Sequence, residues 1–156
     1  MQAVTYKEAD PNELPQIAQL YNLLAYELKT MTNDPYFDFE TLSDEDTLAA
    51  LQKAESKIFI AKKENEVIGF ISGTVINCFL PVSKVGKIGY IEAAYVIESF
   101  RGKGIMSKLE NILIEYFKSG GLEFVELNVL SGNLNAKKFW SKSNYTVFRE
   151  QMRKRI

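Results

Sequence analysis

The sequence contains no histidine, and Cys78 is the only cysteine among its 156 residues. Histidine is the usual general base and the commonest metal ligand, while one cysteine forms neither an internal disulfide nor a multi-cysteine zinc site. These absences exclude hydrolases with a Ser-His-Asp triad, Cys-His proteases and enzymes that hold a metal through histidine. We therefore expect no metal centre and no disulfide framework.

The chain also lacks an excess of charge and a long apolar run. Nineteen Lys and Arg oppose twenty Asp and Glu, for a formal net charge of -1. A protein with this balance has no overall basic field to attract nucleic acid or anionic lipid. No stretch approaches the ~18–20 apolar residues that span a bilayer, and the first residues do not have the pattern of a signal peptide. We predict a cytoplasmic protein that binds neither nucleic acid nor membrane.

The hydrophobic pattern predicts one α/β domain over residues 1–156. Hydrophobic residues make up 46% of the chain, and no linker, repeat or low-complexity tract divides it. Helical and strand periodicities follow one another in the order βααβββαβαβ, which indicates a mixed, mostly antiparallel twisted sheet with helices on both faces. Ser43 is the predicted N-cap of the second helix, and the last predicted strand is Tyr145 to Met152.

A glycine-bearing basic turn stands between a predicted strand that ends near Val96 and a predicted helix that begins near Ile105. The unpaired amides of a helix N-terminus bind anions, and glycine allows a ligand to approach the backbone. Lys and Arg in such a turn add charge-assisted hydrogen bonds. The turn is therefore a candidate phosphate or diphosphate site, although an ordinary strand-to-helix connection has the same local pattern. The segment reads Arg101, Gly102, Lys103, Gly104, Ile105, Met106, Ser107.

In this context the turn resembles the diphosphate loop of the GNAT superfamily of acyl-CoA-dependent N-acyltransferases. The family pattern is Arg or Gln, two residues, Gly, one residue, then Gly or Ala. Arg101 and Gly104 match this pattern, and Met106 departs from it. A later segment, from Asn133 to Tyr145, resembles the second CoA-contacting segment of the family, in which Trp140 stands where a tyrosine is usual.

The resemblance implies a single N-acetyltransferase domain that uses acetyl-CoA and releases CoA. The turn would hold the diphosphate, and the pantetheine arm would lie between splayed strands near Tyr95-Val96 and Asn128-Val129. Asn128 would hydrogen-bond the pantetheine amides, Asn133 would contact the cofactor or cap the following helix, and Trp140 would shape the pocket or belong to the core. Dimers are common in the family, so a homodimer is one expectation.

Glu92 is the predicted general base, because strand alternation places it among apolar neighbours with Tyr90, Ala94 and Val96 on one face. The alternative is an exposed or salt-bridged glutamate with a structural role. The general acid is missing, since the indole of Trp140 does not release its proton at physiological pH.

The acceptor is expected to be a small-molecule or peptide amine. The segment 33–46 has six acids and no base, interleaved with Tyr36, Phe37 and Phe39, so it would attract a cationic amine. The alternative is a solvated loop. Two other functions stay open for the chain, which are a catalytically weak acyl-CoA sensor module and an unrelated phosphate-binding α/β domain.

Overall fold

The computed structural model of the chain describes residues 3–37, 43–51 and 55–156. Short 3-10 turns at Pro11–Glu13 and Glu98–Phe100 precede the first and third helices. The elements are β1 (Thr5–Glu8), α1 (Leu14–Thr32), α2 (Asp44–Leu51), β2 (Lys57–Lys63), β3 (Glu66–Asn77), β4 (Lys87–Val96), α3 (Ile105–Ser119), β5 (Val125–Leu127) and α4 (Leu134–Lys142).

The five strands form one sheet in chain order, β1-β2-β3-β4-β5. The first four strands are antiparallel to their neighbours, and β5 pairs with β4 in parallel. The parallel pair is joined through α3, as a crossover connection requires. The predicted mixed, mostly antiparallel sheet is confirmed.

Helices cover both faces of the sheet, also as predicted. On one side, which we call the α3 face, Phe59 and Ala61 of β2 pack against α3. On the other, the α1 face, Ile58 and Ile60 pack against Ile17 of α1 and its neighbours. Adjacent residues of β2 therefore point to opposite cores, which is why the middle of this strand, Ile58 to Ala61, is continuously apolar.

Two glycines allow α3 to lie close to the sheet. A Cβ at Gly89 would be 2.5 Å from the ring of Phe117, and one at Gly73 would be 2.9 Å from the same ring. These contacts are too short for a side chain at either position, so the aromatic ring rests directly on the backbone of β3 and β4. This contact helps to fix the position of α3 on the sheet.

A bulge in β4 changes the predicted alternation of that strand. Ser72 of β3 faces Ala93, and Gly73 faces Ile91, so Glu92 is an extra residue without a partner on β3. The extra residue reverses the alternation, and Ile91 lies on the α3 face together with Ala94. The predicted grouping of Glu92 with Ala94 and Val96 on one face was wrong, because a bulge shifts the side-chain register by one.

The predicted last strand does not form. Residues 143–156 contain neither helix nor strand, and the part from Thr146 onward is exposed. A strand exists only through pairing with a neighbour, and β5 is only three residues long. The side chains of this segment bind elsewhere, as described below. By contrast, Ser43 is the N-cap of α2, as predicted, and its Oγ accepts a hydrogen bond from the Asp46 amide at 3.1 Å.

The start of α1 is held to the sheet by a buried carboxylate, Glu13. Its Oε1 lies 2.8 Å from Nζ of Lys62 and 2.9 Å from Nζ of Lys7, and its Oε2 accepts a hydrogen bond from the Asp10 amide. Burial alone would raise the pKa of Glu13, but these hydrogen bonds outweigh burial and lower it to about 2. The ionised form is therefore favoured in the folded protein.

This ion pair predicts a pH-dependent contribution to stability. The pKa of Glu13 is lower when folded than its ordinary value of 4.5, so the contribution is present above that value and is lost as pH falls toward about 2. We expect Glu13→Gln to lower the free energy of unfolding at pH 7 by about 1–3 kcal/mol and to flatten the acid limb. Urea unfolding between pH 2 and 7 measures both effects.

The matched control is Glu115→Gln, which removes the same charge from an exposed pair with Lys118. Exposed pairs of this kind contribute little, so its stability should stay within about 0.5 kcal/mol of wild type at each pH. Equal losses in the two variants would contradict the importance of the buried pair.

Among the described residues, no helix has the length and apolar character needed to cross a bilayer.

Candidate active site

Strands β4 and β5 pair briefly and then part. Their ladder contains Gly89 with Val125, Tyr90 with Glu126, and Ile91 with Leu127, whereas β4 continues to Val96. The second half of β4 therefore has β3 on one side and an opening on the other. This opening is where the resemblance places the pantetheine arm.

Main-chain groups of β4 point into the opening. The amide of Ile97 donates to the carbonyl of Ile68 at 3.0 Å on the β3 side. Along an antiparallel strand, the amide and carbonyl of every second residue point toward the same neighbouring strand. Since those of Ile97 point toward β3, the amides and carbonyls of Ala94 and Val96 point away from β3. The carbonyl oxygen of Val96 accepts from Nε of Arg101 at 2.8 Å, in agreement with this direction. The Val96 amide is therefore directed toward the opening.

Glu92 occupies the bulge, directly after the last β4 residue that pairs with β5. Its side chain is half-buried, and its Oε2 accepts a hydrogen bond from Oγ of Ser56 at 2.7 Å. Ser56 precedes β2, whose next residue on the same side is Ile58 of the α1 face. The bulge thus directs the carboxylate to the α1 face beside the opening.

A second polar pair lies where the strands part. Nδ2 of Asn128 donates a hydrogen bond to the hydroxyl of Tyr90 at 2.9 Å. Asn128 is the first residue after β5, and Tyr90 lies two residues before Glu92. The predicted pantetheine ligand Asn128 is therefore near the opening, and Tyr90 joins the candidate site.

The turn before α3 has the backbone geometry expected of an anion site. Gly102 and Gly104 have φ values of 74° and 77°, in the left-handed region that favours glycine. A Cβ at either position would meet nothing within 4 Å, so the backbone can be approached from outside. Gly104 is the N-cap of α3 and has no side-chain capping hydrogen bond. The amides at this helix start are available to an anion such as a diphosphate, so the turn fits CoA.

The side chains of the turn make contacts within the protein. Lys103 donates through Nζ to the carbonyl of Ser99 at 2.9 Å. Ile105 is buried in the core beneath α3, so only its main chain is available to a ligand. Met106 packs at the edge of that core, and Ser107 is exposed. Contacts of Lys103, Met106 and Ser107 with the diphosphate stay predictions.

Arg101 joins the end of β4 to α1. Its Nη2 lies 2.8 Å from Oε1 of Glu27, and its guanidinium lies 5.1 Å from the ring centroid of Tyr95. The hydroxyl of Tyr95 donates to the same Glu27 oxygen at 2.7 Å. Burial, and then this hydrogen bond to a carboxylate, raise the pKa of Tyr95 to about 12, so its proton is retained at neutral pH. A contact between Arg101 and phosphate stays a prediction.

In the second predicted CoA segment, Asn133 and Trp140 make contacts within the protein. Oδ1 of Asn133 accepts from the Ala136 amide at 3.1 Å and caps α4, which was one of the two expected roles. Trp140 lies edge-to-face with Phe139 and Tyr145, at centroid distances of 4.8 and 5.3 Å, and packs against the α3 core. Contacts of Asn133 and Trp140 with a cofactor stay predictions.

Tyr145 is not suited to protonate a leaving thiolate. Its hydroxyl is buried beside the Glu110 carboxylate. Burial and the nearby Glu110 carboxylate raise the pKa of Tyr145, and burial also raises the pKa of Glu110. Both groups belong to the packing between α3 and the end of α4. The tyrosine at the parting of the strands, Tyr90, is the better-placed candidate.

The expected acceptor segment is described only in part, since residues 38–42 lie outside the described ranges. Asp34 accepts from the Tyr36 amide at 2.9 Å and forms an ion pair with Arg153. The Tyr36 amide and then Arg153 lower the pKa of Asp34. A Cβ at Gly132, in the loop after β5, would lie 3.9 Å from the carbonyl oxygen of Met31. The end of α1 and this loop are therefore neighbours.

A separate cleft of about 520 Å³ lies beside the β2–β3 turn. None of the predicted site residues lines it, although Phe100 connects it to the turn before α3. The described residues also contain no group of three or more Cys, Asp or Glu arranged to hold a metal. The cleft is lined by Gln16, Lys63, Glu64, Asn65, Glu66 and Phe100.

Sequence patterns did not identify two residues that position the site, Glu27 and Ser56. One sequence feature pointed to Glu27. It follows Leu24 by three positions and Leu20 by seven, so the spacing places an acidic residue within the apolar stripe of α1. No such feature pointed to Ser56, since only tertiary structure brings it to a residue 36 positions away.

Comparison with known proteins identifies the family of the chain. The sequence profile of the Acetyltransferase (GNAT) family matches residues 18–145. The ribosomal-protein-serine acetyltransferase of Escherichia coli strain K12 is 31% identical over 132 residues, covering 75% of this chain and 68% of that protein.

Solved structures share the fold. A mutant of a Bacillus halodurans protein has a TM-score of 0.84 and 21% identity, covering 97% of this chain and 99% of that one. An aminoglycoside N-acetyltransferase in complex with CoA has a TM-score of 0.78 and 16% identity, covering 100% and 96%. The family match over most of the chain, together with the named relatives, establishes that this chain belongs to the GNAT acetyltransferase family and is an acyl-CoA-dependent N-acetyltransferase.

Proposed function

We propose that this enzyme transfers an acetyl group from acetyl-CoA to a primary amine, which attacks the thioester directly. The observation that carries the proposal is the coincidence of two features in β4. The bulge at Glu92 directly follows Ile91, where pairing with β5 ends. A carboxylate on the α1 face therefore stands beside the opening that leads from the turn before α3.

The turn supplies the binding site for the diphosphate. The amides from Gly102 to Met106 surround the start of α3, where the helix dipole also favours an anion. Acetyl-CoA, when bound, supplies the acetyl group that the amine receives. The Val96 amide, which points into the opening, donates a hydrogen bond to the developing oxyanion.

Two side chains divide the proton transfers. Glu92 accepts a proton from the ammonium form of the acceptor, which frees the nitrogen lone pair to attack the thioester carbon, and Ser56 holds the carboxylate in position. After the nitrogen–carbon bond has formed, the nitrogen releases its surplus proton to solvent. Tyr90 donates the proton that the sulfur needs as the carbon–sulfur bond breaks. The hydroxyl of Tyr90 accepts from Asn128, which leaves its own proton available for this donation.

The acceptor is a cationic amine. Asp34 and the exposed ring of Tyr36 lie beyond the end of α1, and α1 packs on the face to which Glu92 is directed. Relatives named for acetylation of ribosomal protein and of aminoglycosides act on acceptors that carry amines. Spermidine, aminoglycosides, lysine-like amino acids and peptide N-termini therefore form the acceptor panel.

The proposed activity predicts thiol release that depends on both acetyl-CoA and an amine. We expect turnover with at least one cationic member of the panel, measured as free thiol, and a background near zero without an amine. CoA at 100 times its dissociation constant should stabilise the protein by about 2.7 kcal/mol, read as a thermal shift.

Two other outcomes identify the alternatives. Strong CoA binding without turnover across the panel favours an acyl-CoA sensor, for which Trp140 at the usual tyrosine position is the motivating observation. Absence of both turnover and thermal shift contradicts binding of CoA altogether. Acetylation of an uncharged amine with higher kcat/KM than any cationic one contradicts the proposed acceptor class.

A further inference from the structure

In the C-terminal segment 146–156, arginines contact two loops of the chain, the loop between β3 and β4 and the segment that follows α1. The guanidinium of Arg149 lies 4.4 Å from the ring centroid of Phe79, in the loop between β3 and β4. Farther along, Arg153 pairs with Asp34, and the guanidinium of Arg155 lies 5.1 Å from the ring centroid of Tyr36. All three arginines of this segment are therefore seated on other parts of the chain.

The contacts at Asp34 and Tyr36 are those that a cationic ligand would make. One carboxylate and one aromatic ring, two residues apart, receive two guanidinium groups of an extended segment. Carboxylate pairing and cation–π contact are the two interactions that select a ligand with spaced positive charges. With Arg153 in place, the Asp34 side chain is 21% exposed and the Arg153 side chain is 74% exposed, so the arginine covers the carboxylate from the solvent side.

We propose that Asp34 and Tyr36 form a cation subsite for the acceptor, and that Arg153 and Arg155 occupy this subsite in the free enzyme as an internal competitor. This inference rests on the proposed acetylation of a cationic amine. The acceptor class it specifies is an amine with at least one further positive charge, as in a polyamine. Such an acceptor displaces the C-terminal segment before it is acetylated.

The strength of the contacts suits displacement. An exposed ion pair and an exposed cation–π contact are each weak, and the segment has no strand pairing that would hold it in place. An acceptor binds only to protein molecules in which the subsite is free. Its apparent dissociation constant is therefore the intrinsic constant divided by the fraction of free subsites, and a competitor that occupies the subsite most of the time raises it. Arg153→Ala should therefore lower KM for spermidine by about fivefold, without changing kcat or KM for acetyl-CoA.

Lys154→Ala is the matched control, since it removes the same charge from the adjacent residue and leaves both guanidinium groups in place. Its KM for spermidine should stay within about twofold of wild type. Asp34→Asn should weaken spermidine in the wild-type chain and in the Arg153→Ala chain. Equal KM values in Arg153→Ala and Lys154→Ala, or no effect of Asp34→Asn in either background, overturn the proposal.

A readout that needs no catalysis separates this inference from the proposed function. The amide resonance of Tyr36, which donates to Asp34, should shift in the full-length Arg153→Ala protein and hardly move in Lys154→Ala. If no amine is turned over, calorimetric affinity for spermidine replaces KM in the comparison. Tighter spermidine binding by Arg153→Ala then supports the subsite even though acetylation has failed. An unmoved Tyr36 resonance, or unchanged spermidine affinity, overturns it.

Discussion

Replacement of Glu92 by glutamine should lower kcat by about 100-fold to 1000-fold while the affinity for CoA stays within about twofold of wild type. The glutamine side chain has the same length and can still accept the hydrogen bond from Ser56, so the bulge keeps its shape. It cannot take a proton from the amine. Steady-state thiol release, together with calorimetry of CoA binding, measures the two quantities separately.

The pH profile distinguishes loss of a base from loss of structure. In the variant, only acceptor that is already neutral can react, so kcat/KM should keep rising toward the amine pKa, which is about 10 for a lysine-like amine. Glu123→Gln, an exposed change just before β5, should retain wild-type kinetics. A Glu92→Gln enzyme with more than half of the wild-type kcat would show that another group accepts the proton.

The second large effect is expected at the turn before α3. Gly104→Asp should raise the dissociation constant for CoA on the order of 100-fold, or about 2.7 kcal/mol. A carboxylate at this position repels the diphosphate and covers main-chain amides that an anion needs. The fold should survive, because aspartate tolerates left-handed backbone and a Cβ there meets nothing within 4 Å.

Gly121 provides a close control for that substitution. It has the same φ of 77° and equally open surroundings, but it lies beyond the opposite end of α3. Gly121→Asp should therefore cause a similar small loss of thermal stability and leave CoA affinity unchanged. If both aspartates weaken CoA equally, the effect of Gly104→Asp comes from general destabilisation and not from the anion site.

The fold and the turn were predictable because their signals are local. Periodicity over ten to twenty residues indicated α1 and α3, and glycines at 102 and 104 next to a helix start indicated open backbone amides. The N-cap at Ser43 was predictable for the same reason. In each case the residues that determine the structure lie within a few positions of one another.

Features that depend on pairing between distant segments could not be predicted. The bulge at Glu92 is a mismatch between β4 and the Ser72–Gly73 step of β3, so alternation along β4 alone gave the wrong faces. The ion pair between Arg101 and Glu27 joins residues 74 positions apart. The segment after Tyr145 has a strand-like sequence, but its arginines bind Phe79, Asp34 and Tyr36 instead of a neighbouring strand.

The central claim is that the turn before α3 binds the diphosphate of the donor. A crystal structure of the chain with CoA tests this claim most directly. We expect diphosphate oxygens about 2.7–3.1 Å from main-chain amides between Gly102 and Met106, with the pantetheine arm between β4 and β5. A diphosphate bound instead in the cleft beside Lys63 and Phe100, with the amides of the turn facing only solvent, would contradict the account.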